Sequence, residues 1–473
     1  MALVLLGLAL LLGLVVFVRL GQWSLWIDEA FTLHDALWAE DRSNPLGYAL
    51  LGAFYRLVNE AGGPHPDEWA LRFVPAVLGW AGVPLTFWAF RRAAGDRAAA
   101  AAALLVAVSG WHLYWSQNAR FYTLVQDLVL LGSGLGLRAV WGRSWVALVA
   151  ALVAFGAAAL AHPTAALVGG AFLAAGVVLG LARTGPVTLA SPTGRALLVL
   201  VGVGVAGALF WGPPILESWR LAKGGGTPTH LLLATGWFVT PVLGAAALAG
   251  AWLAVVRREP FGLFALALLV LGLGAALAVS LQARFTAQYL FAFLPWVAVL
   301  ATWWLRVPAA TDEPAPGGAP THALGAGVPA LALVGVLTAA GLADQVLYLT
   351  VRAGERPHWR EAYRFVWDQR RGDDLIFGMA APVAEYYLRP KKTDVSDVTA
   401  VSYLDRFRSD VPEAWARTDR RAWFVLNPEE LMDWPAEDRA AFREMLATDC
   451  RLVRSWPLYV ATRDLTVEVY LRE

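Results

Sequence analysis

From residue 1 to about 342 the chain is a succession of apolar runs separated by short polar turns. A bilayer's hydrocarbon core is about 30 Å thick and takes about 20 apolar residues per helix. The runs fall near 3–20, 70–90, 98–116, 120–140, 144–161, 164–182, 196–214, 235–256, 260–281, 288–305 and 323–342. They predict a polytopic α-helical membrane protein with about eleven spans. The stretch 46–58 is apolar but short and reads as an interfacial or re-entrant helix. The first run lacks a basic n-region and an A-x-A-like site, and Arg19 follows it directly, so it reads as a retained span rather than a signal peptide.

Composition agrees. Charged residues are 16% of the chain and hydrophobic residues 58%, against roughly 25% charged in soluble proteins. That excludes an ordinary cytosolic enzyme and a disordered chain. A single cysteine, Cys450, forbids an intrachain disulfide and reads as a small buried hydrophobe. A net charge of +1 gives no reason to expect nucleic acid as a partner.

Arginines set the orientation. On this count, alternate loops carry Arg91, Arg92 and Arg97; Arg138 and Arg143; Arg183 and Arg195; Arg257 and Arg258; and Arg306. The positive-inside rule makes these loops cytoplasmic. The opposite loops, 21–69, 117–119, 162–163, 215–234 and 282–287, are then external. An odd span count places the N-terminus inside and the tail outside, as expected of a multi-pass protein of the cell's inner membrane. The Pro-, Gly- and Ala-rich segment 307–322 reads as a cytoplasmic linker.

The tail, 343–473, turns polar and mixes strand and helix patterns. DLIFGM (374–379), RAWFVL (421–426), CRLVRSW (450–456) and LTVEVYL (465–471) read as strands. Residues 357–371, with Trp359, Tyr363 and Val366 on one face, and 436–447 read as helices. The expectation is a membrane domain over 1–342 and a small extracytoplasmic α/β domain over 343–473, serving as a lid or docking surface.

The unusual residues lie on the external loops. W-I-D-E-A-F places Asp28 and Glu29 just beyond the first span. Carboxylates so close to hydrocarbon are hydrated, paired or used, and neighbours on a helix point roughly 100° apart. One reads as chemical and the other as orienting, unless both only mark a solvated helix start. Glu68 and Arg72 are spaced for a helical ion pair. W-S-Q-N-A-R-F-Y (115–122) contains Asn118, Arg120 and Tyr122. Asp127 follows Arg120 by seven residues, which on one continuous helix gives both the same direction. Q-A-R-F-T-A-Q-Y (282–289) contains Arg284 and Tyr289. An arginine at the mouth of a wet cavity grips phosphate in bidentate fashion, or else snorkels to the interface. His162, beside Pro163 at a hairpin tip, reads as structural or exposed, as does His112. No metal-ligand spacing, Walker loop or G-x-S-x-G occurs there, and neither metal nor cofactor is called for.

The order of these motifs carries more than any one of them. D-E follows the first span, N-P-L-x-Y and W-A-L-R lead into the second, S-Q-N-A-R-F-Y precedes the fourth, and R-x-x-x-x-Y precedes a late span with a proline. This succession resembles the family 39 membrane glycosyltransferases, which include protein O-mannosyltransferases and bacterial aminoarabinose transferases. The likeness covers roughly residues 1–305. It implies a C-type glycosyltransferase fold and a sugar donor carried on polyprenyl phosphate. It implies a catalytic role for Asp28 with Glu29 beside it, and donor-phosphate binding by Arg120 and Arg284 supported by Tyr122 and Tyr289. Arg72, Asn118, Asp127 and His162 are candidate supporting residues. Two positions depart from the family. Asn118 stands where an acidic residue is frequent, and Ser43-Asn44-Pro45-Leu46 replaces H-x-P-P-L.

The chemistry suits these residues. Polyprenyl phosphate is a fair leaving group whose departing charge an arginine stabilises. The acceptor hydroxyl, on an unknown lipid, glycan or protein, needs a base opposite it. One base and one displacement imply inversion. A transporter or flippase of lipid-linked saccharides would also place charges in a membrane cavity, and a non-catalytic relative that binds lipid-linked sugars would keep every motif. The absence of convincing repeated halves disfavours transport.

Overall fold

The computed structural model describes residues 1–38, 44–60, 66–142, 144–184, 189–305, 328–372, 374–388, 401–404, 420–461 and 463–473. Ser43, Arg143, Arg306 and the linker 307–322 lie outside the described residues. Two compact units share the chain. One comprises Met1–Val18, Asp41–Phe54 and Arg72–Gln345, and the other Arg19–Glu40, Tyr55–Leu71 and Val346–Glu473.

The first unit is helical. Five described helices are long and apolar enough to cross a membrane: Glu68–Ala94, Tyr122–Gly142, Pro192–Leu221, Pro260–Ser280 and Ala330–Leu349. Two predicted spans are bent pairs instead. Asp96–Ala107 meets Gly110–Ser116 at 61°, and Pro228–Val239 meets Pro241–Val256 at 91°. The causes are local. Ser109 is extended, and its side chain accepts the His112 N–H, starting a new helix. Thr240 lies at a φ of 64° and Pro241 brings no N–H, so the second helix also starts afresh. The apolar helices Ala2–Phe17, Trp145–Ala161, Ala165–Leu181 and Ala287–Ala301 are shorter. Among the described residues each predicted run overlaps helix, but five helices, or up to seven with each bent pair as one, meet the length needed for a span.

Lipid tails are as apolar as leucine, so such helices associate through close packing rather than by escaping water. Phe90 meets Trp296 at 4.8 Å, Phe172 meets Phe264 at 4.9 Å, and Phe261 meets Trp303 at 5.3 Å. Gly134 lets Tyr122–Gly142 touch Glu68–Ala94, because a Cβ there would collide with the Trp88 ring.

The second unit is built on a five-stranded sheet. Its strands are β1 (Leu375–Gly378), β2 (Val401–Tyr403), β3 (Ala422–Leu426), β4 (Arg451–Trp456) and β7 (Val467–Arg472), in the order β2-β1-β3-β7-β4. β5 (Tyr459–Val460) and β6 (Arg463–Asp464) form a separate two-stranded pairing. β1 runs parallel to β2 and β3, while β7 is antiparallel to β3 and β4. The central β3 is buried at every position, and β7 alternates, as expected of a covered strand and a half-covered one. The helix Trp359–Gln369 buries Trp359, Ala362, Tyr363 and Val366, the one-sided spacing of a helix with a single apolar stripe. The helix Ile27–Leu37, early in the chain, belongs to this unit.

Candidate active site

Asp28 and Glu29 occupy the first turn of the helix Ile27–Leu37, where carboxylates suit the exposed N–H groups. The structure separates them. Glu29 is fully buried. Its Oε2 accepts the Trp26 backbone N–H at 2.8 Å and faces Arg356 Nε at 3.4 Å. Arg356 is itself buried, donates from Nη1 to the Gly354 carbonyl at 3.1 Å, and lies 5.6 Å from the Trp26 ring centroid. Asp28 is half-buried, and its backbone carbonyl accepts the Thr32 hydroxyl at 2.8 Å. One carboxylate is committed to holding the turn, and its neighbour is partly open to solvent.

The segment ahead of the turn is tied down by the tail. Arg360 donates to the carbonyls of Gln22 and Trp23 at 3.1 and 3.0 Å and pairs with Glu68 at 2.5 Å. Glu68 is thus engaged by Arg360, where spacing alone suggested Arg72 on its own helix. Leu25 N–H donates to the Tyr387 hydroxyl at 2.7 Å, and Ser24 Oγ donates to Glu361 at 3.3 Å. Burial by itself would lower the Arg360 pKa, but Tyr387 and the carboxylates of Glu68 and Glu361 raise it. Burial opposes the charge on Glu361 too, yet its hydrogen bond with His358 holds the carboxyl below the usual range. Asp28 and the tail sit in one compact unit.

The arginine and tyrosine candidates fall in the other unit. Arg120 is in a non-helical turn, its N–H donating to Asn118 O at 2.6 Å. Its guanidinium carbon lies 5.0 Å from the Phe121 ring and 5.9 Å from the Tyr122 ring. Tyr122 and Tyr289 flank His162 at 5.4 and 5.3 Å. Thr164 N–H and the Thr164 hydroxyl both approach His162 Nδ1, at 3.3 and 2.6 Å. Nδ1 is thereby an acceptor, and a neutral His162 carries its proton on Nε2. Tyr48 meets Phe121 edge-on at 5.3 Å. Four turns distant in sequence thus converge on one aromatic cluster with Arg120 at its edge.

Other candidates have different surroundings. Arg284 donates its N–H to Gly224 O at 3.2 Å and joins the cluster through its neighbour Phe285, 4.9 Å from Tyr289. The side-chain N and O of Asn118 are buried with no hydrogen-bond partner among the described residues. Asp127 and Arg120 are not on one continuous helix. The helix starts at Tyr122, so helical spacing does not extend back to Arg120, and Asp127 Oδ1 lies against Gly82 on Glu68–Ala94. Arg72 is fully buried in that helix rather than snorkelling. His112 is structural, bonding the Gly79 carbonyl at 2.9 Å.

Sequence reasoning missed Arg356, Arg360 and Tyr387. A signal existed: Arg352, Arg356, Arg360 and Arg364 recur every four residues beside the apolar Trp359 and Tyr363.

Solved structures are similar to the chain over most of its length. ArnT from Cupriavidus metallidurans bound to undecaprenyl phosphate matches with a TM-score of 0.55 and 17% identity, over 99% of this chain and 97% of that one. The chain shares their fold. ArnT in the apo state matches with a TM-score of 0.54 at 15% identity, over 99% of this chain and 97% of that one. The apo oligosaccharyltransferase of Archaeoglobus fulgidus matches with a TM-score of 0.50 at 12% identity, over 91% and 70% of the two chains. No protein-family model and no curated protein sequence matches the chain.

Proposed function

We propose that this chain is a membrane glycosyltransferase that moves a hexosyl or pentosyl group from a polyprenyl-phosphate donor to an extracytoplasmic acceptor by a single inverting displacement. One observation carries the reading. In a chain that shares its fold end to end with an ArnT bound to undecaprenyl phosphate, Glu29 is consumed by Arg356 and the Trp26 N–H while Asp28 remains half-buried at a helix start. An oxygen already accepting two donors is poorly placed to take a proton, so the base is Asp28.

In the proposed mechanism Asp28 removes the acceptor hydroxyl's proton as that oxygen attacks the anomeric carbon. The bond from the anomeric carbon to the phosphate oxygen breaks with inversion, and the polyprenyl phosphate leaves with the electron pair. Arg120 and Arg284 take up the departing charge, and Tyr122 and Tyr289 support the phosphate. His162 holds the two tyrosines in place, Asn118 offers unspent hydrogen-bonding groups, and Arg72 and Asp127 support the neighbouring helix. The membrane domain spans 1–342 with about eleven helices in the inner membrane. The α/β domain of 343–473 and the active site face away from the cytoplasm.

The test is sugar transfer by purified protein from a panel of polyprenyl-phosphate sugars, with direct donor binding measured in parallel. Asp28→Asn should cut turnover by roughly two to four orders of magnitude, the usual worth of general-base catalysis, with donor binding little changed. Arg120→Ala should weaken donor binding as well. Near-normal transfer by Asp28→Asn removes Asp28 from the role.

A further inference from the structure

A second site lies at the other end of the Tyr122–Gly142 helix. With a 1.5 Å rise per residue, its 21 residues put Gly142 about 30 Å from Tyr122. Between this end and the last turns of Glu68–Ala94 is a cavity of about 260 Å³. It begins where Gly134 touches Trp88 and Ala89, runs past Leu137, and ends at a rim of Arg92, Arg138 and Trp141.

The rim is cationic. The Arg138 guanidinium carbon sits 4.2 Å from the Trp88 ring centroid. A cation over an aromatic face is attracted by the ring, and a guanidinium so placed keeps N–H donors that match phosphate. The charged groups acting on Arg138 are Arg92 and Arg91, both cations. Among the described residues, none of the three forms an ion pair. Cations suit a helix C-terminus, which accounts for Arg91 and Arg92. It does not account for Arg92 meeting Arg138 at a cavity otherwise lined by Ala89, Ala93 and Leu137. An anion between the guanidinium groups relieves their repulsion, and phosphate matches the fork geometry.

We propose that this cavity binds the phosphate of an anionic phospholipid headgroup, gripped by Arg92 and Arg138. Basic pockets between transmembrane helices are suited to such headgroups. The volume falls just under the roughly 300–1,000 Å³ of drug-sized sites, which suits a headgroup with its acyl chains left in the bilayer. Leu137, Ala89 and Ala93 line the side against which those chains would start. Arg138 is about 24 Å along the helix from Tyr122, and the site does not depend on the transfer reaction.

Native mass spectrometry of the full chain, released from micelles holding phosphatidylglycerol or phosphatidylcholine, tests this. The wild type should retain phosphatidylglycerol at least about tenfold better, the scale of one charge-assisted bidentate grip. Arg92→Gln and Arg138→Gln should each reduce that preference severalfold, and the double variant should abolish it. Arg138→Lys, which keeps the charge and loses the fork, should fall between. Arg257→Gln, at another helix end, should leave the preference intact. Unfolding midpoints of all variants serve as the folding control. Equal retention of the two lipids by the wild type overturns the proposal, as does an undiminished preference in a folded double variant. If inorganic phosphate alone binds as tightly as phosphatidylglycerol, the occupant is a free anion and the lipid assignment falls.

Discussion

Replacing Arg356 with leucine should loosen the turn that carries Asp28. The pair it makes with Glu29 is almost fully enclosed, with side-chain exposures of 1% and 0%. Deleting one member of a buried pair costs about 3–5 kcal/mol, because the other charge stays behind without compensation. The lower end applies here, since Glu29 keeps the Trp26 N–H. A loss of about 3 kcal/mol corresponds to roughly a hundredfold faster local opening, read as hydrogen exchange at the amides of 26–33. In Arg356→Met with Glu29→Gln neither charge is left alone, and exchange should recover most of the way towards wild type. Transfer should follow the same order, with turnover falling more than donor affinity. Exchange within threefold of wild type in Arg356→Leu would refute the reasoning, because the turn would then be held without the ion pair.

Gly47→Ala brings a Cβ within 2.6 Å of the Phe121 ring. The ring must shift, at about 1–3 kcal/mol, and donor KM should rise with Asp28 untouched, as initial-rate kinetics will read. Cys450 is half-buried, and burial, aided by Asp449, pushes its thiol up to about 11. At pH 8 about one molecule in a thousand carries the thiolate, so alkylation should run roughly two hundredfold slower than at a free cysteine and recover on denaturation. Glu361 is held below its ordinary value of about 4.5. A depressed carboxyl contributes stability that is complete above that value and is lost as the pH falls through the folded one. Glu361→Gln should therefore lose that increment at neutral pH and converge on the wild type as the pH falls through the folded value, which flattens the acid limb of unfolding midpoints measured across pH.

The parts legible in the sequence are those governed by a long-range average. Bilayer thickness imposes a run length, so among the described residues each apolar run overlaps helix. β-branched and aromatic residues mark β1, β3, β4 and β7, whereas β2, with three residues, carries too little pattern to read. The breaks at Ser109 and Thr240-Pro241 escaped because one cap and one proline are invisible within an apolar average. At the site, the different surroundings of the acidic pair were legible, since adjacent helical residues diverge. The partner of Glu29 was not, because Arg356 lies 327 residues further on and no local spacing reports such a contact. The meeting of Tyr122, His162 and Tyr289 depends likewise on helix packing that a single sequence does not encode locally.

These contacts give the tail a structural duty that its fold alone does not suggest. A helix of 11 residues such as Ile27–Leu37 is marginal on its own in water, and its N-cap is a tryptophan with no side-chain oxygen to offer. Its first turn is completed by Glu29, whose charge is tolerable in the interior because Arg356 faces it. Upstream, the carbonyls of Gln22 and Trp23 and the N–H of Leu25 take partners from Arg360 and Tyr387 rather than from regular secondary structure. Backbone groups in an irregular segment must find such partners or remain solvated. A base held within a fraction of an ångström of its substrate cannot sit on a solvated, fluctuating segment. The α/β unit therefore supplies the rigidity that the loop lacks. Under the proposed mechanism Arg356, Arg360 and Tyr387 serve transfer by holding the turn that carries Asp28, although none of them is proposed to touch the sugar.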